Sequence, residues 1–151
     1  PKYQGITNDQ INKFKLPENG GVIEVIAGEY ENLKGSASTF TPVHLQNAKL
    51  NKGAKTSFHF PANYNTGLLV IEGSIKVNDT ENVPADHFAL FENEGEDFTI
   101  EAKEDSVILI LSGEPLNEPI FSHGPFVMNT REEIIQAFDD FNTGKFGYLE
   151  D

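Results

Sequence analysis

The run GAKTSFHFPANYNTGLLVIEG, residues 53–73, reads as two core strands joined by a turn, with a histidine in the first of them. Residues 55–60 form one strand and residues 67–77 the other, interrupted at Gly73-Ser74. Within the run, five residues separate Gly53 from His59, and Pro61, Thr66 and Gly73 follow at set intervals.

Outward from this pair the same rhythm continues. From Val22 on, short runs of Val, Ile, Phe and Leu alternate with Gly, Asn, Pro and Asp about every ten residues, the pattern of an all-β sandwich or barrel. Upstream, residues 22–27 and 40–50 are predicted strands, the latter with Val43, Leu45 and Ala48 as its alternating apolar positions. Between them GEYENLKGSAS, residues 28–38, is expected to be a polar loop that connects rather than packs. Downstream, residues 79–84 are a predicted turn region, and 87–91, 98–102 and 107–111 complete the strands.

The spacing of residues 53–73 resembles the first motif of the cupin barrels, in which a glycine is followed after five residues by a metal-binding His, then by a second His, a Glu and a closing Gly. Gly53, His59 and Gly73 match, whereas Pro61 stands at the second His and Thr66 at the Glu. The second cupin motif, a Gly-x5-Pro-x-Gly-x2-His frame, maps onto residues 87–98. There Gly95 keeps the glycine, Asn93 replaces the proline and Phe98 occupies the ligand position. The resemblance implies a double-stranded β-helix, the jelly-roll barrel of the cupins. Of its four metal ligands only His59 survives, and a single imidazole cannot hold iron, manganese or zinc when such sites need at least three protein donors. No metal, catalytic or cofactor-binding residue is therefore expected in this chain.

The other histidines support no stronger reading. His44 lies on a strand beside Leu45, His87 begins a strand, and His123 sits in the turn-like FSHGPF. His44, His59 and Tyr64 are the candidate polar contacts of a small-molecule pocket in an otherwise apolar cup. Convergence of His59, His44 and a carboxylate such as Glu72 on an unorthodox metal or acid–base site stays open, because alternation puts Glu72 opposite Ile71 without saying which face is interior. The acidic interval from Glu92 to Asp105 reads as a solvated face, with binding of a hard cation as the alternative. Phosphate loops, His-Glu-x-x-His helices and Gly-x-Ser-x-Gly elbows are missing.

Composition narrows the partners. The 151 residues suit a single domain, with 11 Lys and Arg against 24 Asp and Glu for a formal charge of −13, which opposes direct contact with nucleic acid or an anionic membrane. The chain has no Cys, so disulfides, Cys-bound zinc and thiol nucleophiles are out. No run approaches the roughly 20 apolar residues of a membrane span, and a cytoplasmic location is expected. The start at Pro1 suggests a fragment or a processed product.

One segment reads as a helix, residues 130–143. Thr130 and Glu133 form a capping box, Ile134, Ile135, Phe138 and Phe141 recur at helical spacing, and Gly144 terminates it. Packing on the outside of its own barrel is the expected use of the apolar stripe. The surrounding sequence, GEPLNEPIFSHGPFVMNTREEIIQAFDDFNTGKFG at residues 113–147, closely resembles the C-terminal signature of the pirin family, and IAGEY at residues 26–30 extends the match. Pirins are bicupins, so the resemblance implies that residues 1–151 are one C-terminal cupin domain, with a barrel over about 22–127 and the helix after it. It implies a single iron, held by three His and one Glu, in an N-terminal domain that this chain lacks. Intact members are associated with flavonol (quercetin-type) dioxygenase activity, which this chain alone is not expected to carry. The implied role is a structural and interaction module, partnered by the N-terminal cupin domain or by a second copy through the C-terminal helix.

Overall fold

The computed structural model describes residues 3–147. Two compact units make it up, described over residues 3–115 and 116–147.

The first unit is built from antiparallel strands. In chain order they are β1 (Asn12–Lys15), β2 (Gly21–Ala27), β3 (Glu29–Tyr30), β4 (Leu33–Lys34), β5 (Val43–Leu50), β6 (Lys55–His59), β7 (Asn65–Glu72), β8 (Ser74–Val77), β9 (Glu81–Pro84), β10 (His87–Leu90), β11 (Asp97–Ala102) and β12 (Ser106–Gly113). One sheet runs β1-β2-β5-β12-β7-β10 and the other β6-β11-β8-β9, so the chain from β5 to β12 repeatedly crosses between them. This is the cupin barrel, and the pair in residues 53–73 places β6 and β7 in opposite sheets.

Strand periodicity decides what fills the space between the sheets. The larger sheet sends in Ile23, Val25, Ala48, Leu50, Leu68, Val70, Ile108 and Ile110; the smaller sends in Phe58, Ile75, Val77, Phe98 and Ile100. Side chains on alternate residues share a face, so on β5 the inward set is His44, Gln46, Ala48 and Leu50, and Val43 and Leu45 lie on the other side. Sequence had chosen Val43 and Leu45 with Ala48, a set that mixes the two faces. The outward side of β5 carries Asn47 and Lys49 as well as Val43 and Leu45, and the inward side His44 and Gln46 as well as Ala48 and Leu50, so hydrophobicity alone cannot tell the sides apart.

Three boundaries also move. The expected loop at residues 28–38 contains the β3–β4 hairpin, and Tyr30 is buried, edge-on to Phe14 and 5.3 Å from Phe58, with its hydroxyl 2.7 Å from Thr56 Oγ1. The expected turn region at residues 79–84 closes with β9, which pairs with β8. The two large sheets begin at β1 and end at β12, where the expected barrel ran over about 22–127.

The second unit holds a hairpin, β13 (Phe121–His123) with β14 (Phe126–Met128), and the helix α1 (Arg131–Asn142). Thr130 Oγ1 accepts from the Glu133 N–H at 3.2 Å, and Glu133 Oε2 accepts from the Thr130 N–H at 2.9 Å, the reciprocal cap expected from sequence. Phe138 packs edge-on to Phe126 and His123 of the hairpin. Ile134 and Ala137 are buried, whereas Ile135 and Phe141 are exposed. Among the described residues no helix is long and apolar enough to cross a membrane.

Candidate functional site

The positions that a cupin uses for metal lie on β6, β7 and β11, and the pleat of β6 determines which of its side chains enter the barrel. Burial alternates along it, with Thr56 and Phe58 inward and Lys55, Ser57 and His59 outward. Phe60, just past the strand end, is buried as well. Motif counting selected His59 and Pro61, but the residues that point inward are the ones immediately before them, Phe58 and Phe60.

The neighbours of this face are also aromatic. Phe58 pairs with Phe98 across β6 and β11, and their rings stack 5.3 Å apart. Phe98 also meets Phe60 at 6.1 Å and Phe91 at 4.3 Å. Offset and tilted rings at these separations attract one another beyond simple area burial, by about 0.5–1.5 kcal/mol a pair. Thr66, at the motif's Glu position, is buried and shares a 2.8 Å hydroxyl hydrogen bond with Ser112 on the neighbouring strand. Phenyl rings carry no lone pair for a cation, and two neutral hydroxyls cannot balance a divalent charge. The side chains here do not fit an iron site. Among the described residues no group of three or more His, Cys, Asp and Glu is arranged to hold a metal ion.

The histidine that opened the metal question faces solvent. His59 Nδ1 lies 2.9 Å from Asp97 Oδ1, with both side chains more than half exposed. Glu72 is exposed at the end of β7, so no His59–His44–Glu72 site forms. His87 is exposed and its Nδ1 lies 2.9 Å from the Ala85 carbonyl, while His123 belongs to the second unit.

His44 is the histidine that enters the barrel. Its Nδ1 accepts a 3.3 Å hydrogen bond from the Glu29 N–H, and its ring lies edge-on to Phe60 at 4.9 Å. Burial pushes its pKa below the ordinary imidazole value, against a smaller opposing effect of Glu29. The ring approaches the chain at Gly28, where φ is +76° and an added Cβ would sit 2.5 Å from His44 Nδ1, so only glycine leaves room. His44 and His59 both line a cleft of about 490 Å³ with Glu29, Gln46, Phe58 and Phe60. Tyr64, the third expected contact, lines a separate small cavity of about 70 Å³ beside Thr66 and Phe98, its ring 6.2 Å from that of His44.

Gln46 escaped the sequence reading. It is fully buried, its Nε2 donates to the Glu29 carbonyl at 2.9 Å, and its Oε1 has no partner among the described residues. The available signal was its spacing of two from His44, which places both side chains on one face of β5.

A family profile described as the pirin C-terminal cupin domain matches residues 45–147, from β5 through the helix. The chain belongs to the pirin family. A Homo sapiens pirin is 36% identical over 153 residues, which cover 98% of this chain and 52% of that protein. A Pseudomonas aeruginosa protein provisionally named a quercetin 2,3-dioxygenase is 38% identical over 146 residues, 97% of this chain and 51% of the relative. Among solved structures, a quercetin 2,3-dioxygenase from Acinetobacter baumannii superposes with a TM-score of 0.90 at 45% identity, covering 99% of this chain and 52% of that one. The pirin chain described here thus spans about half the length of the curated relatives it matches.

Proposed function

We propose that this domain is the non-catalytic barrel of a pirin-type bicupin, which docks on the remaining half of its parent protein and supports an iron site there. The observation that carries this reading is the outer face of the larger sheet. In register across it run Phe88, Leu69 and Leu109, and beside them Leu90, Gly67, Leu111 and Leu45. Phe88, Leu90 and Leu111 are exposed, as is Ile71 nearby. The Phe88 ring lies over Gly67, where an added Cβ would come within 2.4 Å of it, so the missing side chain lets the ring lie flat against the sheet. An antiparallel sheet that ends at solvent carries polar residues outward, and a contiguous apolar patch suits a protein surface. This chain matches only about half of each relative's length, which supports the other half of a pirin as the partner that covers it. In the second unit, exposed Ile135 and Phe141 on α1 offer a further apolar area for the same partner.

The intact protein is read as a quercetin 2,3-dioxygenase-like enzyme, on the strength of the Acinetobacter relative's name. Its oxygen chemistry would belong to the other domain, because the inward positions in this one are Phe58, Phe60 and Phe98. The test is to measure bound iron and quercetin oxidation side by side for the full-length parent and for this chain. Both are expected in the parent alone; iron and turnover in this chain would overturn the division of labour.

A further inference from the structure

A polar side chain is buried in the barrel with its amide oxygen unpaired among the described residues. Gln46 is 0% exposed, and because only its NH2 can donate to the Glu29 carbonyl, the amide orientation is set and Oε1 is the atom left over. An unmet buried acceptor costs about 1–3 kcal/mol, so it calls for a donor from outside the chain. Gln46 forms part of the wall of the 490 Å³ cleft, large enough for a small molecule.

We propose that this cleft binds a small uncharged aromatic alcohol, its ring against Phe58 and Phe60 and its hydroxyl donating to Gln46 Oε1. Three observations select that class. The aromatic wall favours a flat ring, and the unpaired oxygen requires a donor. Glu29 and Glu31 at the lip repel an anion, while a cation would be desolvated against a neutral amide. His44, two residues from Gln46 on the same strand face, accepts from Glu29 through Nδ1; the proton of its neutral ring is therefore on Nε2, a donor for the ligand oxygen. Oε1 is covered in the structure, so ligand entry displaces a neighbour.

This site is independent of the docking face and can stand or fall without it. The test is titration of 15N-labelled protein with phenol, anisole and benzoate, following the Gln46 side-chain NH2 and the His44 ring by NMR. Phenol is expected to shift both signals saturably. Anisole, which has the ring but no donor, should bind about tenfold more weakly, the equivalent of one buried hydrogen bond, and benzoate should leave the signals unmoved. Gln46→Leu should weaken phenol by a similar factor without changing the spectrum of the core strands. If that variant does not fold, the phenol–anisole comparison on the unaltered protein decides alone. Equal binding of phenol and anisole, binding of benzoate, or no shift at Gln46 would overturn the proposal, and water would then be the only partner of the amide oxygen.

Discussion

At the scale of single residues, two buried ionisable groups make the fold sensitive to acid in different pH windows. His44 is neutral in the barrel because burial disfavours its charged form, so the unfolded chain binds the proton more readily. Its contribution is complete above the ordinary imidazole value of about 6.5 and is lost as pH falls below that point. Chemical denaturation at pH 7.5 and 5.5 should show lower stability at the acid value, and His44→Gln should flatten the difference. Glu24 behaves differently in origin but not in sign. Its burial raises the carboxyl pKa, yet hydrogen bonds from Lys49 at 3.0 Å, Asn47 at 2.8 Å and Lys13 at 3.3 Å outweigh that and hold it below the usual range. The stabilisation is present above about pH 4.3 and is lost below it. Glu24→Gln is expected to cost about 1–3 kcal/mol at pH 7, measured by urea unfolding, and to leave less acid dependence below pH 4.5.

Elements were legible where one face is buried and the other wet. The capping box and the 3.6-residue stripe located α1 because a helix end exposes unpaired N–H groups that only a few residues can satisfy. Thr130→Ala should therefore cost about 1 kcal/mol, read as faster amide exchange in the first turn of α1 with the barrel unaffected. The apolar stripe was less informative about use. Its expected face divides, with Ile134 and Phe138 against the hairpin and Ile135 and Phe141 left outward. The hairpin β3–β4 was missed because its strands are two residues each, too short to show a period, and because Tyr30 is the only member of GEYENLKGSAS that the core buries. β6 shows the limit of motif counting. A slip of one residue exchanges every side chain between faces, so His59 counts as a ligand while Phe58 occupies the ligand's place.

For the molecule as a whole, the proposed docking face is the apolar patch of Phe88, Leu69, Leu90 and Leu111 on the larger sheet. Phe88→Lys combined with Leu90→Lys should leave the midpoint of unfolding within about 0.5 kcal/mol, since both side chains are exposed. The same pair should abolish reassembly with the separately expressed N-terminal half, measured by light scattering. Unaltered binding would remove this face from the interface, and a concentration-dependent homodimer of the unmodified chain would assign the face to a second copy instead.

Sequence by itself determined the all-β class, the single helix with its cap, and the pirin family, because strand punctuation, capping chemistry and the run from Gly113 to Gly147 are local and carry their meaning in order along the chain. It also determined the loss of metal-ligand residue types at the motif positions. Only the tertiary structure decided which face of each strand is inside. On β5 each side mixes apolar and polar residues, and on β7 and β12 both sides are apolar, so alternation has no sign until the second sheet closes over one of them. That closure turned His59 out to solvent and packed Phe58, Phe60 and Phe98 together. It also buried Gln46 beside His44, two residues that look unremarkable in the string VHLQNAKL.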